Sequence, residues 1–266
     1  MIQNLRFIGL LIKLKLSHMM LFRLSFFGAF FADGILFLMQ LLAFQVIYSQ
    51  VDSIGGWNRG QMIIFIGTFS LINALNMIFF FFGIISIPEK INSGNLDQYI
   101  TKPVNPLLRL TFESVDPGSI PLLIFSILIV SYGISVSQIQ ITIPLMLGYI
   151  ILVFLMTLLW YDMELILRSF SFFFIIVSDI DPFERLEGNL MSLNFKIPGV
   201  VYKGIYKILF YFVLPYGIMS TIPTQFLSGV LTFPELILGM GTVFIFTAFA
   251  LWFWKLGLRH YRSASS

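Results

Sequence analysis

An all-α, polytopic integral membrane protein is the fold class this sequence predicts, on three observations. Of its 266 residues 58% are hydrophobic, 17% aromatic and only 11% charged, with a mean hydropathy of +0.93; a soluble domain carries about 25% charged residues. Several uncharged stretches exceed the roughly 18 to 20 residues that cross a hydrocarbon core about 30 Å thick, and in lipid they must be helical to satisfy their own backbone groups. With six transmembrane helices and cytoplasmic N- and C-termini, fifteen of the sixteen lysines and arginines fall inside and only Arg59 outside, the bias that orients membrane proteins. Residues 1–266 read as one transmembrane domain, multi-pass in the plasma membrane.

The elements follow in order. Residues 1–22 mix Leu and Ile with Arg6, Lys13, Lys15 and His18, which suits a helix lying in the inner interface, its cations toward anionic headgroups; a cytoplasmic tail is the alternative. This lead-in is too long and too dispersed in charge for a cleaved signal and is expected to be retained. Span one covers about residues 24–48, with Tyr48 as an interfacial anchor. Gly55-Gly56 breaks the chain before Trp57. Span two covers about 61–87, and Pro88 marks its stop. Residues 88–118 form a polar island between apolar runs. Span three covers about 119–136 and span four about 141–161. Residues 162–207, with their charges and an apolar patch at 170–177 too short to cross alone, read as one inner-face excursion, partly embedded. Span five covers about 208–222, kinked at Pro215, and the last span about 236–254. The connection 223–234 is too apolar for a solvated loop and too short to cross, so an outer re-entrant segment or a plain surface hairpin fits it.

Composition also excludes chemistries. There are no cysteines, so disulfides and thiolate chemistry are absent. No Gly-Lys dipeptide exists for a phosphate-binding loop, and no nucleophile–base pair is visible. A net charge of +3 gives no case for nucleic acid. The pairs Asp162/Glu164 and Asp179/Asp181 have a spacing that could hold a metal and a nucleotide diphosphate, as in a membrane-embedded glycosyl- or acyltransferase; the other reading is helix caps and salt-bridge partners for Arg168 and Arg185. The chain is otherwise expected to be no enzyme and to need neither metal nor cofactor of its own.

Two sets of polar residues remain. Asp33 stands alone in span one, where a charge costs roughly 2.5 to 3.5 kcal/mol on insertion scales, so it should face the bundle. Gln40 follows on nearly the same helical face, and Asn73 and Asn76 lie in span two; Asp33 and Asn76 are expected at similar depth in neighbouring helices. These four line a substrate path or make interhelical hydrogen bonds. In the polar island, Ser93 or Asn92 is expected to cap a short helix, with Asn95 and Asp97 in its first turn and Pro103 stopping it. Leu96, Tyr99 and Ile100 would form a knob for a groove on a soluble partner, unless the island is merely an interfacial turn.

The sequence here resembles the permease subunits of type-2 ABC exporters. The resemblance is carried by Gly55-Gly56-Trp57, by residues 91–97 (INSGNLD) followed by 101–106 (TKPVNP), by Leu214-Pro215-Tyr216 and by Ile222-Pro223, and it extends over most of the chain. It implies that the 88–118 loop contains a coupling helix entering a cleft of a cytoplasmic ATP-binding subunit, which supplies ATP and Mg. The implied docking residues are Glu89, Lys90, Asn92, Gly94, Asn95, Leu96, Asp97, Tyr99, Lys102, Pro103 and Asn105. Residues 223–234 would match the outer re-entrant helices, with Pro223, Phe226 and Pro234 at an outer gate. Two permeases, identical or paralogous, would work with two ATPases among membrane lipid. The 31 phenylalanines suit an apolar or amphipathic cargo and equally suit lipid-facing surfaces.

Overall fold

The computed structural model describes residues 35, 38–174, 189 and 197–261. Among the described residues it is helical, with no strand and one isolated bridge between Ile54 and Trp57. Helix α1 (Leu38–Tyr48) ends where the Tyr48 hydroxyl donates to the Trp57 carbonyl at 3.0 Å. Helix α2 (Arg59–Asn76) opens with a reciprocal cap, in which Asn58 accepts from the Gln61 N–H and Gln61 accepts from the Asn58 N–H, so two donors at the helix start are satisfied. After Asn76 the helix widens into a π segment, Met77–Phe81. The Ile78 carbonyl within it accepts from the Asp116 N–H at 2.9 Å. Helices α3 (Phe82–Ile85) and α4 (Ile87–Asn92) extend this apolar run to 34 residues. The expected stop at Pro88 is corrected: the helix breaks at Ser86 and resumes, with Pro88 in the first turn of α4, where no intrahelical N–H bond is due.

Helices α5 (Asp97–Ile100) and α6 (Pro106–Phe112) follow. Helix α7 (Ile120–Val136) then runs back along α2. Their backbones approach closely at one glycine on each helix: a Cβ on Gly67 would lie 2.8 Å from the Val130 nitrogen, and one on Gly133 2.8 Å from the Ile64 nitrogen. Such close approach is how helices associate where water supplies no driving force.

Helix α8 (Ile143–Ser169) continues through a 3-10 turn at Phe170–Phe172. Span four therefore does not end at Tyr161. Asp162, Glu164 and Arg168 belong to the helix and are 1%, 2% and 1% exposed, which places them inside the bundle rather than on an inner face. Helix α9 (Ile205–Ile208) passes into a π segment, Leu209–Val213, and after Pro215 come α10 (Tyr216–Met219) and α11 (Thr221–Leu227). The two arms meet at 78°, so the break falls at Pro215 as expected, but it is close to a right-angled turn rather than a kink in one span. Helix α12 (Phe233–His260) closes the fold, its first turn boxed by Thr232 and Glu235.

Among the described residues four helices are long and apolar enough to cross a membrane, or five if the bent pair counts as one. The six-span expectation is supported only that far; the N-terminal helix of residues 1–22 and most of span one lie outside the described residues. The stretch 162–207 is no single excursion. A Cβ on Gly55 would sit 3.0 Å from Val201 Cγ2, and Val200 packs on the cluster of Trp57, Met62 and Phe65. Residues 199–201 thus lie at the α2 N-terminal end, opposite the 93–105 loop. Lys203 and Lys207 go with them, joining Arg59 and weakening the fifteen-to-one count.

Candidate functional site

The 93–105 loop is built by short-range geometry. Helix α4 ends at Ser93, and Gly94 follows at φ +73, the left-handed position that glycine fills without strain. The Leu96 N–H then closes back on the Lys90 carbonyl at 3.0 Å. Ser93 is thus the end of the preceding helix, not the cap of the next: α5 begins after Leu96 with no side-chain cap. Asp97 does sit in its first turn, and Pro103 follows its end. Asn105, which the sequence offers as a docking residue, caps α6, accepting from the Leu107 and Leu108 N–H groups at 2.9 and 3.4 Å, with Pro106 at the first helical position.

Leu96 and Tyr99 do not form an outward knob. Leu96 is fully buried, and both join a cluster with Ile84, Ile87, Leu110, Leu165 and Trp254. They anchor the loop. Around Tyr99 three further groups converge. Its hydroxyl donates to Glu113 Oε1 at 2.6 Å, Lys90 pairs with the same carboxylate, and the Arg109 guanidinium lies 4.4 Å from the ring centroid with the Lys90 ammonium at 4.8 Å. Arg109 also donates to the Gln98 carbonyl at 3.2 Å. Burial, then the bond to Glu113, raises the Tyr99 phenol above its ordinary pKa, so it remains a neutral donor. Lys90, Tyr99, Arg109 and Glu113 thereby lock α4, α5 and α6 into one unit. The i,i+4 spacing of Arg109 and Glu113 is the sequence signal for this lock. Asp97 lies beside the Tyr261 hydroxyl just beyond α12; burial, then this carboxylate, raises the Tyr261 phenol.

The outward side carries Glu89, Asn92, Asn95, Gln98, Ile100, Lys102 and Pro103, all exposed. Ile100, 43% exposed, is the apolar residue that projects from α5.

Behind the loop, one stretch of α8 bonds to three neighbours. The Tyr161 and Thr111 hydroxyls are 3.1 Å apart, joining α8 to α6. The Thr247 hydroxyl of α12 donates to Asp162 Oδ2 at 2.5 Å. Asn76 of α2 donates to Glu164 Oε1 at 2.8 Å, and Trp160 Nε1 donates to the same oxygen at 2.9 Å. Asn76 is therefore an interhelical hydrogen-bonding residue, with Glu164 as its partner. Asp33 lies outside the described residues; Gln40 and Asn73 are half-buried in α1 and α2. Asp162 and Glu164 face α12 and α2 inside the bundle rather than an open metal site, and Asp179, Asp181 and Arg185 lie outside the described residues. No group of three or more metal-binding side chains occurs among the described residues.

At the far end, Pro223 is buried within α11, Phe226 packs on Gly148 of α8, and Pro234 stands exposed in the first turn of α12. The segment 223–234 is thus the end of one helix, a turn through Gly229 at φ +70 and the start of the next. A family model described as ABC-2 family transporter protein matches residues 35–265. No curated protein matches the chain, and no solved structure does.

Proposed function

This chain belongs to the ABC-2 transporter family, a family of multi-pass transport permeases, and on that premise we propose that it is the membrane subunit of an ATP-driven exporter in the plasma membrane. A separate ATP-binding subunit, present as a dimer, hydrolyses ATP with Mg. A second permease, identical or paralogous, completes the assembly. The cargo is apolar or amphipathic, in keeping with the 31 phenylalanines and 11% charged residues of the chain. The loop end faces the cytoplasm.

One observation carries this reading: the polar 93–105 loop is tied through Tyr99 to Lys90, Arg109 and Glu113 on its flanks while it presents Ile100, Lys102 and Gln98 outward. A tied projection transmits force where a slack loop would absorb it. When the ATPase dimer closes, the loop moves with it as a unit, and the strain enters α8 through Thr111 and Tyr161. From α8 it spreads to α12 through Asp162 and Thr247 and to α2 through Glu164 and Asn76. The permease contributes no nucleotide chemistry of its own.

The test is copurification with the ATP-binding subunit and stimulation of its ATPase in proteoliposomes. Ile100→Asp and Lys102→Glu should each lower copurification and stimulation severalfold while the permease alone keeps its melting temperature. Unchanged stimulation in both variants would remove the docking assignment.

A further inference from the structure

We infer that the cleft between α1, α2 and α7 at the end opposite the loop holds one phospholipid, its phosphodiester on Arg59 and one acyl chain against α1. The cleft has a volume of about 170 Å³ and is lined by one face of α1 from Leu38 to Tyr48, by Arg59 and Met62 of α2 and by Tyr132 of α7. Its polarity is graded along α1. Gln45 and Tyr48 stand at the helix end near Arg59, and below them the wall is apolar, Phe44 followed by leucines down to Leu38. From Tyr48 to Leu38 a helix rises roughly 15 Å, the hydrocarbon depth of one leaflet. Arg59 opens the run Arg59–Asn92 that is long enough to cross, so its guanidinium stands at headgroup level.

Charge selects the occupant. Among the described residues no carboxylate pairs with Arg59, and the exposed guanidinium begins a helix whose N-terminal end favours anions. A guanidinium takes two phosphate oxygens at once. A phosphate with a hydrocarbon chain attached satisfies both the cation and the apolar wall below it; a free anion would leave the wall empty, and a plain hydrocarbon would leave the cation unmatched. This site does not depend on the exporter reading.

The test uses the full chain in phosphatidylcholine nanodiscs with a phosphatidylglycerol that carries a photoactivatable diazirine on its acyl chain. Cross-links should concentrate on peptides containing residues 38–48 and Tyr132, the exposed part of the lining. Arg59→Gln should cut that labelling severalfold, the order expected for a lost charge pair at an exposed site, while labelling of the exposed α12 face around Phe244 stays unchanged. Arg59→Lys should keep much of it. Leu42→Trp, at an exposed position in the lining, fills the cleft without altering charge and should also lower it. Labelling spread evenly over all lipid-facing helices, or undiminished by Arg59→Gln, would overturn the site. Competition by inorganic phosphate would identify a free-anion site and overturn the lipid assignment, and a cross-link between two copies of the chain at Leu38 or Leu42 would do so in favour of a second protomer.

Discussion

Asn76 shows how a polar residue inside a membrane bundle finds its role. Its amide donates to Glu164 from a neighbouring helix, and Trp160, one turn before Glu164, donates to the same oxygen. Removing a donor leaves a buried carboxylate with fewer partners. A double-mutant cycle of Asn76→Ala and Glu164→Gln should return a coupling of about 1 kcal/mol, the upper part of the range for hydrogen bonds within membranes, read from unfolding in mixed micelles. Strictly additive losses would mean that the bond contributes nothing. Asn105→Ala should cost about 1 kcal/mol as a lost helix cap and speed hydrogen exchange at the Leu107 and Leu108 amides; unchanged exchange would contradict the cap. Residue types are legible in the sequence, while pairings are not. Asn76 stands out as a polar group in an apolar run, but its partner lies 88 positions away, and no spacing rule reaches that far. Tyr99 turns inward against expectation for a related reason: in a helix of four residues the periodicity is too short to tell the inward side from the outward one.

At the scale of elements, apolar run length locates α2, α7, α8 and α12, but charge misleads about their ends. Asp162, Glu164 and Arg168 interrupt an apolar run, and interruption is the signal for an interface. Here two of those groups are matched by Asn76, Trp160 and Thr247, so the helix continues past them, and only tertiary structure reveals the match. Proline misleads in the same way at Pro88, because a helix that breaks and restarts tolerates it in the first turn. The crossing of α3 and α6 is a tight joint of the loop: a Cβ on Gly83 would lie 2.2 Å from the Leu110 carbonyl oxygen and 2.6 Å from that of Thr111. Both are backbone atoms and cannot swing aside. Gly83→Ala should therefore displace α6, lower the melting temperature by several degrees, as overpacking of about 1 to 3 kcal/mol implies, and reduce ATPase stimulation. A variant of wild-type stability would contradict this packing.

The whole molecule is a helical bundle with two unlike ends. One carries the locked loop with Lys90, Lys102 and Arg109; the other carries the turn at Gly55, residues 199–201 and the 78° bend before α11. Wide apolar faces lie on α7, α8 and α12, where Ile127, Leu128, Phe154 and Phe244 are exposed. Between the ends, Tyr161, Asp162 and Glu164 of α8 join the loop unit to the long helices, and the proposed coupling would run through these bonds. The most direct test of that account is site-specific photocrosslinking in the native membrane from residues 100 and 102. Adducts with the ATP-binding subunit from both positions, and none from residue 230 at the opposite end, are the predicted result. No adduct from either position, or labelling of residue 102 by an impermeant reagent added outside intact cells, would contradict it.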